Sequence, residues 1–180
     1  MSLSSTSHGI KHREKPNDKF YTPRVLAGKL ISSTPLIEND VVMEPFRGSG
    51  AFYDNLPDFV DKRWAEMEDG KDAFWFPANV DWIVTNPPYS MIDKTLSTAT
   101  ASCRKGFGLL LLMHAITPAR LEYCQQRGFG LSTMFLTKVF NWYGISAYCI
   151  WRRGFADSTE ITWDRIVWRS DEPIERGASL

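Results

Sequence analysis

The sequence predicts an α/β fold: an open, mostly parallel sheet with helices on both faces and a late antiparallel hairpin. Strand-like and helix-like patterns alternate through the first two thirds of the chain, which is the order of a sheet covered on both sides. "GFGLLLLM", Gly106 to Met113, is a continuous apolar run, as in a strand buried on both faces. Beyond it, "LSTMFLTKVFNW" and "SAYCIWRR" are two strand patterns joined around "YGI", the layout of an antiparallel pair.

Residues 1–17 are polar, Ser-rich and unpatterned and read as a flexible tail. "YTPRVLAGKLISS" predicts an amphipathic helix, with Thr22 as cap, Pro23 at the first helical position and Val25, Leu26, Leu30 and Ile31 as its apolar stripe. "DVVMEPF" reads as a short buried strand and "RGSGAFYDNL" as a glycine turn opening a helix. "RWAEME" is a second strand and "VDWIVT" a third. The stretch between those two is too short for a full helical crossover, so the sheet is a trimmed one. "MIDKTLSTATASC" is a helix, and "TPARLEYCQQRG" another, with Thr117 as cap, Pro118 at its start and Gly128 at its end. "EITWDRIVWRSDEP" alternates as an edge strand, and residues 171–180 read as a polar tail. Residues 18–170 form one domain on this reading.

The chain has 180 residues, 43% hydrophobic and 23% charged, which suits a single globular domain with a real core. Lys plus Arg and Asp plus Glu are 21 each, so bulk charge does not drive polyanion binding, although a local basic face is compatible with it. Cys103, Cys124 and Cys149 are odd in number and widely spaced, a pattern of buried thiols in a reducing compartment. The longest apolar run is too short to span a bilayer. These features predict a soluble, cytoplasmic protein with no membrane partner. His8 and His12 lie four apart with no further ligand pattern, and no metal site is expected.

The chemistry concentrates in two stretches. In "EPFRGSG" a strand ends at Glu44 and Pro45, and Gly48 and Gly50 let the backbone turn tightly and approach a ligand. A strand-to-helix turn that merely needs glycine would look the same. Glu66 or Glu68, on one face of the neighbouring strand, could accept hydrogen bonds from a ribose, and Asp72 from an adenine amine. In "NPPY" the prolines fix φ and remove two donors, so the Pro87 carbonyl and the Asn86 side-chain oxygen can both accept from one planar amine. That pulls nitrogen toward tetrahedral geometry and frees its lone pair to attack a methyl group. Tyr89 offers a flat face for a base to stack on.

These residues resemble the class I S-adenosylmethionine-dependent methyltransferases, specifically the Rossmann-like amino-methyltransferases with an Asp/Asn-Pro-Pro-aromatic motif. "FYTP", Phe20, Tyr21, Thr22 and Pro23, is similar to the family's segment that contacts the methionine end of the cofactor. "EPFRGSGAF" resembles its glycine motif, and Glu66 and Asp72 fall where ribose and adenine contacts are expected. Asn86, Pro87, Pro88 and Tyr89 match the catalytic motif at every position. The motif order is that of adenine-specific DNA methyltransferases, including small phage-type enzymes. The resemblance implies S-adenosyl-L-methionine as cofactor and the exocyclic amine of adenine in DNA as substrate, with the base flipped out of the helix.

In such enzymes a late aromatic often packs on the flipped base. Phe140, Trp142 and Tyr143 stand in about that place; Trp142 is favoured, with core packing equally open. Lys138, Arg152 and Arg153 on the late hairpin are candidates for phosphate contacts, or simply a solvated edge. The gaps around the motifs leave little room for a target-recognition domain, which implies little built-in sequence reading, a recognition partner or a homodimer. RNA adenine and a protein glutamine amide share the chemistry, and a non-catalytic cofactor-holding subunit is the alternative of a different class.

Overall fold

The computed structural model describes residues 22–65, 79–139, 144–168 and, for the backbone, 173–175. In chain order they form α1 (Arg24–Ser32), β1 (Val41–Glu44), α2 (Ala51–Asn55), β2 (Asp61–Trp64), β3 (Val80–Thr85), α3 (Ile92–Ser102), β4 (Cys103–Leu112), α4 (Pro118–Gln125), β5 (Phe129–Val139), β6 (Ser146–Arg153), β7 (Glu160–Trp168) and β8 (Pro173–Glu175). The strands make a single sheet in the order β2-β1-β3-β4-β6-β5-β7-β8. Only β6 and β8 run against the rest. The predicted fold class, helices included, is the observed one.

The sheet separates two cores. One lies under α1 and α2, with Leu26, Leu30, Val42, Phe52, Val84 and Tyr148 buried together. The other lies under α3 and α4, with Ile83, Leu96, Phe107, Leu109 and Cys149. β3 is buried along its whole length and β4 from Gly106 onward, which is why the β4 stretch reads as an unbroken apolar run. Gly106 and Gly108 have a packing reason. The ring of Trp82 lies against Gly106 and the hydroxyl of Tyr148 against Gly108, where any side chain would collide. The cysteines are buried and free; burial pushes the Cys124 and Cys149 thiols up to about 12 and raises Cys103 as well, so none is a nucleophile at neutral pH.

The amino edge of the sheet is held by ions. Asp81 accepts two bonds from Arg104, at 3.0 and 2.8 Å, and one from the Val41 amide at 3.0 Å. Buried Asp40 pairs with Lys105 and accepts from the Ile37 amide. Arg153 donates to the Cys103 and Arg104 carbonyls.

Four expectations are corrected. Pro23 is the cap residue of α1 rather than its first helical residue, and Thr22 does not cap; the helix begins with the Ala27 amide bonding the Pro23 carbonyl. β2 ends at Trp64, two residues short of Glu66. β7 is not the edge strand, because β8 pairs outside its last three residues. Those β8 residues were expected to be tail. No helix among the described residues is long and apolar enough to cross a membrane.

Replacing Gly106 by Ala puts a methyl 2.5 Å from the buried Trp82 ring and against the Trp151 carbonyl. It should lower the unfolding free energy by about 1–3 kcal/mol in urea titration. Asp81 carries a pKa held below the ordinary carboxylate value, first by its bonds from Arg104, against desolvation. Its contribution is therefore complete above the unfolded pKa near 4 and is lost as pH falls through the lower folded value. Asp81→Asn should remove that part of the acid-side loss of stability, seen as a flatter Tm profile below about pH 4.

Candidate active site

The chain runs from β1 to β2 on one side and returns to β3 on the other, so β1 and β3 diverge at a switch point. Ligands of open α/β sheets bind beyond the carboxyl ends of the strands at such a point. Two segments emerge there: residues 45–50 after β1 and residues 86–89 after β3.

Glu44 is the last residue of β1 and is 1% exposed. Its Oε1 accepts from the Phe46 amide at 3.1 Å and from the hydroxyl of Thr85, the last residue of β3. A buried carboxylate is tolerable because both donors reach it. The turn then depends on glycine: Gly48 and Gly50 have φ of 50° and 84°, the left-handed region. The Gly50 amide bonds the Arg47 carbonyl at 2.8 Å and closes the turn into α2.

Arg47, within the glycine turn, is used as a planar spacer. Its guanidinium lies 4.6 Å from the Trp64 ring centre and 5.0 Å from that of Tyr53, with Asp54 3.8 Å away. Its amide bonds the Ala65 carbonyl. The turn is thereby fastened to the end of β2 and to α2. Arg24 reinforces it from α1 through Asp54 at 2.6 Å and the Ser49 carbonyl at 3.1 Å.

The second segment is equally constrained. Asn86 donates from Nδ2 to Thr22 Oγ1 at 3.2 Å, so the amide nitrogen faces Thr22 and its oxygen faces the other way. Thr22 is itself 7% exposed; its hydroxyl, expected to cap α1, serves Asn86 instead. Pro87 is buried, and Pro88 and Tyr89 are half-buried. The Pro88 carbonyl accepts from the Met91 amide at 2.9 Å, which starts a 3-10 turn over Tyr89–Met91. No donor among the described residues reaches the Pro87 carbonyl. The ring of Tyr89 packs partly on the α3 side of the core.

Thr22, Pro23, Glu44, Pro45, Gly48, Gly50 and Asn86 to Tyr89 thus belong to the described part of the site. Phe20, Tyr21, Glu66, Glu68, Asp72, Phe140, Trp142 and Tyr143 lie outside the described residues. Lys138 sits at the carboxyl end of β5, on the same edge as the site. Arg152 and Arg153 do not. β6 is antiparallel to β4, and Arg152 pairs with Gly106 while Ser146 pairs with Leu112. Both arginines therefore end up at the amino edge, about 13–17 Å along the strands from the site, and Arg153 is spent on the Cys103 and Arg104 carbonyls.

Sequence reasoning missed Thr85 and the role of Thr22. Thr85 carried a signal: a hydroxyl at the end of a strand buried along its whole length must find a partner.

No family model matches the sequence, and no curated protein matches it. Solved structures do. A protein of Listeria monocytogenes described as a class I S-adenosylmethionine-dependent methyltransferase superposes with a TM-score of 0.60 at 11% identity, over 86% of this chain and 68% of its own. The type IIG restriction endonuclease BpuSI gives 0.57 at 16% identity, over 79% of this chain but 26% of its own. A modification subunit of a type I restriction enzyme from Vibrio vulnificus gives 0.54 at 13%, over 79% of this chain and 45% of its own. At these identities the likeness establishes the fold alone. That fold is the Rossmann-like one of class I methyltransferases, and this chain spans about a quarter of one restriction protein and less than half of the other.

Thr85→Val keeps the shape of the side chain and removes the donor to buried Glu44. It should cost about 1–3 kcal/mol of stability, measured by urea unfolding.

Proposed function

We propose that the chain is an S-adenosylmethionine-dependent methyltransferase that acts on the exocyclic amine of adenine in DNA. The observation that carries this reading is the rim at the end of β3: a Pro87 carbonyl that no donor among the described residues reaches, beside an Asn86 amide whose nitrogen is held by Thr22. It stands next to a left-handed glycine turn at the switch point of the sheet.

The residues present fit the cofactor. Gly48 and Gly50 bring backbone close to the space beyond β1 without a Cβ, Thr22 and Pro23 border it from α1, and the Glu44 carboxylate holds the turn in shape. Glu66 would take the ribose and Asp72 the adenine. When bound, S-adenosylmethionine supplies an electrophilic methyl group.

The chain's own residues would do the rest. The Pro87 carbonyl and Asn86 Oδ1 accept the two protons of the substrate amine, which localises the nitrogen lone pair. Tyr89 holds the base flat, a stacking worth about 1–3 kcal/mol. No general base is needed before transfer, since the methylated ammonium is acidic and gives its proton to water afterwards. Rate comes from in-line positioning. Kinship of fold with two restriction-modification proteins supports DNA as the substrate.

The test is transfer of labelled methyl from S-adenosylmethionine to duplex DNA, single-stranded DNA, RNA and a glutamine peptide, with digestion of the product to nucleosides. Label in methyladenine from DNA is expected. Label only in RNA or in the peptide would reassign the substrate. Asn86→Ala should reduce transfer about 10²-fold or more and leave cofactor affinity near normal by calorimetry; surviving transfer would remove the amine clamp. Glu66→Ala should weaken cofactor binding, and an unchanged affinity would shift the ribose role to Glu68.

A further inference from the structure

The α3 and α4 layer stops short of the far side of the sheet. On β5, Met134 and Leu136 face the α3 and α4 side and are only half-buried. Their partners across the ladder on β7 are Ile161 and Trp163, so these side chains share that face. Ile161 is 53% exposed and Trp163 68% exposed. A tryptophan ring left largely in water on a strand is costly to keep, and here it is not explained by the core.

Its surroundings are specific. Alternation along each strand puts Lys138 and Arg165 on the same face, on the side of Trp163 nearer the carboxyl edge. Neither has an ion-pair partner among the described residues. The acids of β7 are on the opposite face: Asp164 pairs with Lys29 of α1 and accepts from Thr137 and Trp168, and Glu160 alternates with it. β5 contains no acid at all. A flat aromatic flanked by cations, with no ion-pair partner for them and no carboxylate on this face of β5 and β7 among the described residues, is the chemistry of a base-stacking platform with phosphate contacts.

The location fits as well. Ladder partners place Thr85, Leu109, Cys149, Met134 and Ile161 at one level across β3, β4, β6, β5 and β7. Trp163 is thus about 20 Å from Asn86, four strand spacings away along the same edge. That distance corresponds to about six nucleotides at the 3.4 Å rise of a helically stacked strand. The exposed side chains of Met113 and Ile145 lie between them at the carboxyl edge.

We propose that the β5–β7 face around Trp163, Lys138 and Arg165 is a docking surface for single-stranded DNA that extends from the base held at Asn86. This rests on the methyltransferase reading above and narrows its substrate. A single strand fits better than duplex because paired bases are stacked on one another and offer the tryptophan no face.

Binding is read by fluorescence anisotropy with end-labelled oligonucleotides of about three and about 12 nucleotides. The same 12-mer is also presented as duplex and as RNA. Trp163→Ala should weaken the single-stranded 12-mer about tenfold or more and leave the trimer unchanged, since a trimer cannot reach both places. Trp163 is exposed, so the variant should fold; Arg165→Ala and Lys138→Ala are independent variants, each flattening the salt dependence by about 0.7 in log–log slope. Unchanged 12-mer affinity in Trp163→Ala would overturn the proposal. So would a loss confined to RNA or equal for duplex, a wild-type chain that binds no single strand, or a variant that only shifts the oligomeric state in light scattering. Anisotropy does not require turnover. Trp163-dependent binding without methyl transfer would retain the surface and sink the enzyme reading, and transfer to adenine with both lengths unaffected would do the reverse.

Discussion

The hydrogen bond from the Thr85 hydroxyl to the Glu44 carboxylate is the joint on which the candidate site depends. The ladder between β1 and β3 is short, pairing Val42 with Trp82 and Met43 with Ile83. The side-chain bond takes over where that ladder stops and where the two chain segments must part to leave room for a ligand. Because Glu44 also accepts from the Phe46 amide, one buried carboxylate sets the path of the glycine turn and the position of Thr85, the residue before Asn86. Its burial matters to its strength. In a low-dielectric setting the bond is strong, and each donor lost would leave charge unsatisfied. The glycine turn after β1 and the segment after β3 are therefore one mechanical unit rather than two loops that happen to be near.

A second constraint acts at the other end of the same strands. Asp40 and Asp81 sit at the amino ends of β1 and β3 and are matched by Lys105 and Arg104 of β4. The Asp81–Arg104 pair joins neighbouring β3 and β4, and the Asp40–Lys105 pair reaches across β3 from the start of β1 to β4; at the carboxyl edge the ion pairs lie in the segments beyond the strands, Arg24 and Arg47 on Asp54 and Arg120 on Asp93. The zero net charge of the chain hides this division. Ion pairs at both edges and on the α1 face account for part of the balanced totals, while Lys138 and Arg165 have no ion-pair partner among the described residues.

Much of this was legible in the sequence. α4 begins at Thr117 and Pro118 as read, with the Thr117 hydroxyl accepting from the Arg120 amide and Gly128 in the left-handed region beyond its end. β3, β4 and the β5–β6 pair were also clear, since length and apolar continuity decide them. Direction was not. Periodicity identifies β6 as a strand but says nothing of which end meets the site, and Arg152 and Arg153 were misplaced for that reason. Thr22 shows another limit. A Thr before a Pro reads as a cap by local rules, yet Asn86, distant in sequence, competes for its hydroxyl. Local patterns cannot weigh a tertiary partner they do not contain.

The far side of the sheet exists because of one missing Cβ. β6 ends at the amino edge and β7 begins there, but β5 lies between them, so residues 154–159 must cross over the start of β5. Gly154 turns the chain with φ of 72°, and the Phe155 carbonyl then passes so close over Gly130 that a Cβ at that position would collide with it. Thr159 completes the crossing by donating to the Leu131 carbonyl at 2.8 Å. Only this tight passage lets so short a connection set β7 parallel to β5 rather than fold it back as a hairpin. The consequence reaches the surface chemistry. In that register Trp163 lies beside Leu136 on the face that α3 and α4 do not cover, while Asp164 turns to Lys29 on the other. Glycine at 130 thus determines which residues of β7 meet the helices and which meet solvent.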